Sequence, residues 1–349
     1  MQTINGFRLS PQQKYLWLLQ QDSPAYRAQC AISIEGNLQA NALKEALQKV
    51  SDRHEILRTS FQRRSGIKFP IQVIGDRSLI SWQIVNLECL TPPQQAAKLP
   101  EIFQNEKRSV FNFEQNPIWR LSLISLSANR YLLLVSLPSL CADSRTIKNL
   151  IREISQCYAA CLQGEALAHE VAQYVQYSEW QNELIEDEEA AEGKKYWTDR
   201  DYSALASLKL PFENKNSSGS DPFEPNFFEV KIELSLLEEI EAIARRYDTS
   251  ISAFFLACWK TLLWWRLGKA EIIIGTAFDN RKYEELEPAL GLFAKFLPLR
   301  SQLQENFTFQ ELWQEIQQSQ SDAYKWQEYF NREDINGSPG FPFCFEFEN

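Results

Sequence analysis

His54 and His169 are the only two histidines in this 349-residue chain. Histidine is the usual base and ligand of zinc hydrolases, zinc deaminases and Ser or Cys triads. Neither histidine belongs to an HExxH pair, no CxxC occurs, and the 12 glycines form neither GxxxxGK[ST] nor GxGxxG. Metal and phosphate-cradling chemistry therefore finds no motif here. The densest cluster of reactive types follows the run YLLLVSL (131–137) and contains Pro138, Ser139, Cys141, Asp143 and Ser144. Ser139 has no imidazole near it in sequence to take its proton, so its hydroxyl reads as a small loop group rather than a nucleophile. Leu140 and Ala142 surround Cys141 with apolar surface, which raises a thiol pKa and marks an inert buried cysteine. Asp143, a carboxylate after a buried strand, calls for a cation in a fold-holding pair, with Arg145 and the distant Arg281 as candidates. His54 stands in RHE ahead of a strand, where a bond to local backbone is the expected role, and His169 in ALAHEVAQY is expected at the surface.

Apolar spacing outlines the elements that must position these groups. YLLLVSL is a continuous apolar run of strand length, the pattern of a strand buried on both faces, and Pro138 ends it. A helix follows from about Thr146, with Ile147, Leu150, Ile151, Ile154 and Tyr158 at helical spacing. Upstream, Ser10 and Pro11 open a helix to Gln21, Cys30 to Ile34 alternates as a strand, and Asn41 to Ser51 is helical. Ile56 to Phe61, Pro70 to Ile74 and Trp119 to Leu126 read as further strands. Downstream come a charged connecting helix, about Gln173 to Trp197, and a loop, Glu213 to Asn226, rich in Asn, Ser, Gly and Pro. A strand (Phe227 to Ile232), a helix capped by Ser235, an apolar helix (Ser252 to Leu267), strands at Glu271 to Phe278 and Phe296 to Leu303, and an amphipathic helix (Thr308 to Trp326) complete the second half. The loosely similar order of elements in the halves hints at an old duplication.

At roughly 150 residues per domain, the length suits two domains or subdomains. Hydrophobic residues at 44% and charged residues at 23% suit a packed globular chain. A net charge of −10 repels phosphate backbones and argues against nucleic acid as a partner. No run has the length of a spanning helix and MQTINGFRLSPQQK lacks a signal peptide's apolar core, so the expectation is a cytoplasmic protein away from membranes. The seven scattered cysteines read as free thiols, with Cys157 and Cys161 as small helix residues, and EDEE (186–189) as a solvated helix face.

Several segments, taken in order, resemble the condensation-domain family of nonribosomal peptide synthetases. LSPQQKYLW (9–17) is similar to that family's opening motif and RHEILRTSF (53–61) to its RHExLRTxF. YVQYSEWQNE (174–183) with KKYWTDR (194–200) resembles the segment between its subdomains, and GTAFDNR (275–281) and GLFAKFLPLR (291–300) its later strand motifs. AYKWQEYF (323–330) and SPGFPF (338–343) are similar to its last recognisable pieces. The resemblance implies an α/β fold of two chloramphenicol acetyltransferase-like subdomains with mixed sheets and flanking helices, set as a V-shaped pseudo-dimer around a tunnel. It also implies carrier proteins docking at the mouths with phosphopantetheine arms, and no cofactor or metal bound directly. The expected division is an N-terminal subdomain over 1–172, a connecting helix and linker over 173–226, and an incomplete C-terminal subdomain over 227–349.

The family's chemistry resides in HHxxxDG at the end of a buried strand, where the second His serves the attacking amine and the Asp holds the loop through an Arg. Here Pro138 and Ser139 fall on the two histidines, Asp143 on the Asp and Ser144 on the Gly. Lys295 stands where the family usually has Asn, either facing the tunnel, where it would pair with Asp143 or another carboxylate, or reaching the surface. Removal of a positioned base costs about 10²–10⁴-fold. The expected function is thus a non-catalytic condensation-like domain of a nonribosomal peptide or hybrid synthetase. It would act as scaffold or platform for carrier proteins, adjacent synthetase domains or a trans-acting tailoring enzyme. The alternative is a His-independent acyltransferase joining carrier-bound thioesters by orientation, to which proximity contributes about 7–11 kcal/mol.

Overall fold

YLLLVSL lies at the heart of a four-stranded sheet in the computed structural model, which describes residues 6–20, 23–76, 80–115, 118–165, 170–213, 225–335 and 340–348. His169, residues 214–224 of the loop and the first two residues of SPGFPF lie outside the described residues. The first half runs α1 (Pro11–Gln20), β1 (Arg27–Glu35), α2 (Ala40–Arg53), β2 (Thr59–Gln62), β3 (Ile71–Ile74), β4 (Ser81–Asn86), α3 (Pro92–Arg108), β5 (Arg120–Ser127), β6 (Arg130–Pro138), α4 (Ser144–Gln163) and α5 (Tyr174–Glu186). Then follow α6 (Ala191–Thr198), α7 (Leu234–Arg246), α8 (Ile251–Leu267), β7 (Glu271–Phe278), β8 (Lys295–Gln302), α9 (Phe309–Trp326) and β9 (Cys344–Phe345).

Two compact units divide the chain: Met1–Glu183 with Arg281–Phe293, and Leu184–Asn280 with Ala294–Asn349. The first holds a sheet ordered β1-β6-β5-β4 and a β2-β3 hairpin. β6 is interior, antiparallel to β1 and to β5, which explains why its last six residues are all buried and its apolar run is unbroken. Leu43, Leu47 and Val50 of α2 and Leu150, Ile154 and Cys157 of α4 join Leu133, Val135 and Leu137 of β6 in one core. The second unit holds a sheet ordered β8-β7-β9. Its core joins Ile272–Ile274 of β7 and Leu297 and Leu299 of β8 to Leu256 and Leu263 of α8 and Leu312 and Ile316 of α9.

Several expectations are corrected. Glu55–Arg58 is a 3₁₀ turn, so only the end of Ile56–Phe61 enters a strand. The connecting helix is broken into α5 and α6 by a 3₁₀ turn at Glu188–Ala190, where the Asp187 carboxylate accepts from Glu189 N–H, so the acidic run marks a break rather than a helix face. Residues 227–232 form no strand and belong to none of the sheets formed by the described residues. β4 and α3 carry no expectation from apolar spacing because α3 buries none of its residues. All seven cysteines are free, and no described helix is long and apolar enough to cross a membrane.

Candidate functional site

β6 delivers its last residue, Pro138, into a tight turn. Cys141 N–H donates to Pro138 O at 2.9 Å and Ser139 N–H to Tyr26 O at 3.1 Å, so the turn is tied to the chain entering β1. The Gln13 side-chain amide donates to Leu140 O at 3.0 Å from α1. Leu140 and Cys141 are fully buried, while Ser139 is half-buried. Burial pushes the Cys141 thiol well above its ordinary pKa, so the sulfur stays protonated at neutral pH.

Asp143 then starts α4. Its Oδ1 accepts from Thr146 N–H at 2.8 Å, an N-cap that satisfies one of the helix's orphan donors. The same carboxylate receives Arg281 in a two-pronged pair, Nη1 to Oδ2 and Nη2 to Oδ1, both 3.0 Å. Phe293 N–H adds a fourth bond to Oδ2 at 2.8 Å. The two side chains are 4% and 1% exposed, so the pair is desolvated and its hydrogen bonds hold it together. Arg281 also lies over the Phe293 ring, 4.2 Å from its centre, and donates to Thr146 Oγ1 at 2.8 Å. Arg145 instead points outward, 3.8 Å from Glu287. Ser144 occupies the first turn of α4.

The segment Arg281–Phe293 is thereby attached to one face of α4. Thr146 Oγ1 donates to Gly291 O at 2.6 Å and accepts from Gly291 N–H at 3.1 Å, and the Asn149 amide donates to Glu287 O at 2.6 Å. From the other side Tyr174 OH donates to Leu292 O at 2.7 Å, and the Gln12 amide donates to Phe293 O at 3.1 Å. Gly291 has φ +153°, and a Cβ there would run into the Tyr174 ring. Sequence reasoning gave no site role to Thr146, Asn149, Tyr174 or Gln12. The available signals were the three-residue spacing Asp143–Thr146–Asn149 and the YxxY spacing of Tyr174 and Tyr177, each of which puts its residues on one helix face.

Lys295 is in the second unit at the start of β8 and is 4% exposed, neither at the surface nor available as a free charge. Its Nζ donates to Gln327 O at 3.3 Å and Glu328 O at 3.1 Å, in the 3₁₀ turn Gln327–Tyr329 that follows α9. Burial lowers its pKa to about 7 against the pull of Glu328. His54 is buried with Nε2 3.4 Å from Glu153 Oε1, a carboxylate that also accepts from Arg53 at 2.7 Å. The neighbouring His54 is the first cause of a lowered Glu153 pKa. Among the described residues no group of three or more His, Cys, Asp and Glu is placed to hold a metal.

This geometry stands beside a direct match. The model of the Condensation domain family matches residues 5–335. The chain belongs to the condensation-domain family. Tyrocidine synthase 3 of Brevibacillus parabrevis is 29% identical over 355 aligned positions, covering 98% of this chain and 5% of its own, so the chain spans a small part of that curated relative. Among solved structures, the X-domain from teicoplanin biosynthesis is similar with a TM-score of 0.81 and 21% identity, covering 97% of this chain and 76% of its own. The condensation domain of the monacolin K polyketide synthase MokA gives 0.80 and 21%, covering 99% and 79%. At these identities the structures share the fold of this condensation domain.

Proposed function

We propose that this condensation domain works within a nonribosomal peptide or hybrid synthetase without forming the amide bond itself, as a scaffold or platform for a carrier protein or a tailoring enzyme. The observation that carries this reading is the turn after β6. Pro138 and Ser139 stand where the resemblance puts the two motif histidines, and the bonds of the turn among the described residues, to Tyr26 O and Pro138 O, bring no imidazole to them. Pro138 has no N–H and no base, and the Ser139 hydroxyl is not basic at neutral pH. Cys141 is buried as a thiol, and Asp143 has both oxygens committed to Thr146, Arg281 and Phe293. The single described imidazole, His54, is held beside Glu153.

The partners follow from the same family reading. A carrier protein presents substrate on its phosphopantetheine arm, adjacent synthetase domains flank the chain, and the setting is the cytoplasm. The platform role is supported by the teicoplanin X-domain, a structural neighbour also solved in complex with OxyB, at a TM-score of 0.74 and 21% identity. That protein of the same fold is seen holding another protein.

The deciding experiment supplies donor and acceptor thioesters on carrier proteins and follows product by mass spectrometry. The expected result is no product above the protein-free control, with carrier protein or tailoring enzyme still bound in calorimetry. Product that disappears with Ser139→Ala overturns the platform reading. Installing the imidazoles with Pro138→His and Ser139→His is expected to raise the rate by less than the roughly 10²-fold a positioned base supplies. The reason is that Lys295, at the position where the family usually has Asn, departs as well. A full rise of that size would show that only the base was missing.

A further inference from the structure

α2 and α4 pack together in the first unit. Leu43, Ala46, Leu47 and Val50 of α2 share one core with Leu150, Ile154 and Cys157 of α4, which holds the two backbones in place. Polar contacts continue this seam toward solvent. Arg53 donates to Glu153 at 2.7 Å, and Lys49 Nζ donates to Cys161 Sγ at 3.3 Å. Glu45 Oε1, one turn back on α2, lies 2.9 Å from the same ammonium. The bond to the Glu45 carboxylate, and after it the bond to the Cys161 sulfur, raise the Lys49 pKa above its ordinary value. Cys157, one turn earlier on α4, is fully buried, and burial pushes its thiol up to about 11. Cys161 is only half-buried, so its sulfur is open to a small solute as well as to the amine. Among the described residues, Cys161 is the cysteine whose sulfur accepts from a lysine. A thiol and a primary amine in contact, on two helices fixed by a shared core, are the reactants of a sulfur–nitrogen cross-link.

We propose that Lys49 and Cys161 form a peroxide-dependent covalent staple, a sulfenamide that joins α2 to α4. Hydrogen peroxide first oxidises the Cys161 thiol: the O–O bond breaks, an S–O bond forms and one water leaves. Lys49 Nζ, having given a proton to solvent, then attacks the sulfur of this sulfenic acid. The S–N bond forms as the S–O bond breaks, and the hydroxyl leaves as water with a second nitrogen proton. One thiol, one amine and one peroxide thus become one sulfenamide and two waters, and the two electrons lost by sulfur reduce the peroxide. Two equivalents of a small thiol reverse the link and leave as a disulfide. The Lys49 side chain is 45% exposed and closes the remaining gap by rotation, while both helices stay in place. The joined residues are 112 apart in sequence, so the staple removes chain entropy from the unfolded state and stabilises the first unit. It also secures α4, the helix that Asp143 caps. The inference rests on this seam alone and is independent of whether the domain is catalytic.

The test exposes the 349-residue chain to hydrogen peroxide in mildly alkaline buffer, which frees part of the amine, and digests it without reductant. Mass spectrometry is expected to find the peptides of Lys49 and Cys161 joined, two hydrogens lighter than their sum, and separated again by a thiol reductant. Lys49→Arg keeps the charge beside the sulfur and removes the primary amine. Its expected product is a Cys161 sulfenic acid, trapped by dimedone, with no link. The oxidised parent is expected to melt about 5 °C or more above the reduced protein, and oxidised Lys49→Arg to show no such rise. Lys49 is at the surface, so the substitution leaves the fold in place. A Cys161 sulfenic acid that accumulates in the parent without joining Lys49 overturns the proposal. So does a link formed at Cys157 instead, or a Cys161 thiol left intact while free cysteine in the same solution is consumed.

Discussion

Asp143 does structural work on three sides. It caps α4, neutralises a guanidinium that is 1% exposed, and receives the Phe293 amide. Asp143→Ala removes all of these at once and leaves Arg281 buried without its counter-charge, a loss of about 3–5 kcal/mol in denaturant unfolding. Removing both charges with Asp143→Ala and Arg281→Met is expected to cost less than the sum of the single losses, because the double variant buries no unpaired ion. Strict additivity would show that the two residues are not coupled. The need for a cation at Asp143 is legible in the sequence, since a carboxylate closes an apolar strand. The choice of Arg281 over Arg145 is not, because the partner lies 138 residues away and its approach depends on how 281–293 packs. Lys295 shows the same limit. Its position relative to a family motif is readable, but its burial against the carbonyls after α9 is a tertiary fact.

At the scale of elements, the legible ones are those whose apolar pattern meets a core. β6 and β7 read directly because both are interior strands, and α4 reads from its stripe. α3 escapes because no residue of it is buried, and 227–232 is misread as a strand because alternation alone does not supply a neighbour, and among the described residues it joins no sheet. α8 conceals another feature. Lys260, inside an otherwise apolar helix, is fully buried and donates to Leu299 O at 2.9 Å and Ser301 Oγ at 2.8 Å, joining α8 to β8. Burial lowers its pKa to about 7 from an ordinary 10.5. Between these two values the unfolded chain binds the proton that the folded chain has released, so unfolding free energy rises with pH across this window and is flat below it. Lys260→Met removes up to about 1.4 kcal/mol per pH unit from that slope. Urea unfolding at pH 7, 8 and 9 checks this, and parallel slopes for the two proteins would mean that the ammonium keeps its ordinary pKa in the fold.

At the scale of the whole chain, the polypeptide leaves the first unit after Glu183, returns for Arg281–Phe293 and leaves again. A boundary drawn once, at a linker, does not describe this exchange, and composition gives no sign of it, because GLF (291–293) reads as the approach to a strand. Its physical basis is the set of bonds that α4, α5 and α1 make to the returning segment. Without it, Asp143 loses Arg281 and the Phe293 amide, Thr146 loses Gly291, Asn149 loses Glu287, and Tyr174 loses Leu292. Ala289, Leu290 and Phe293, all within 1% of full burial, leave the same core. Residues 1–183 expressed alone are therefore expected to give a destabilised, partly molten unit, with native-like far-ultraviolet and weakened near-ultraviolet circular dichroism. Appending 281–293 through a flexible linker is expected to restore a cooperative thermal transition, and doing so with Arg281→Met is expected to restore it only in part, since Asp143 is then buried without a cation. If residues 1–183 alone melt as cooperatively as the joined fragment, the returning segment is a passenger on the first unit. The Asp143–Arg281 pair would then owe its geometry to a surface that is complete without it.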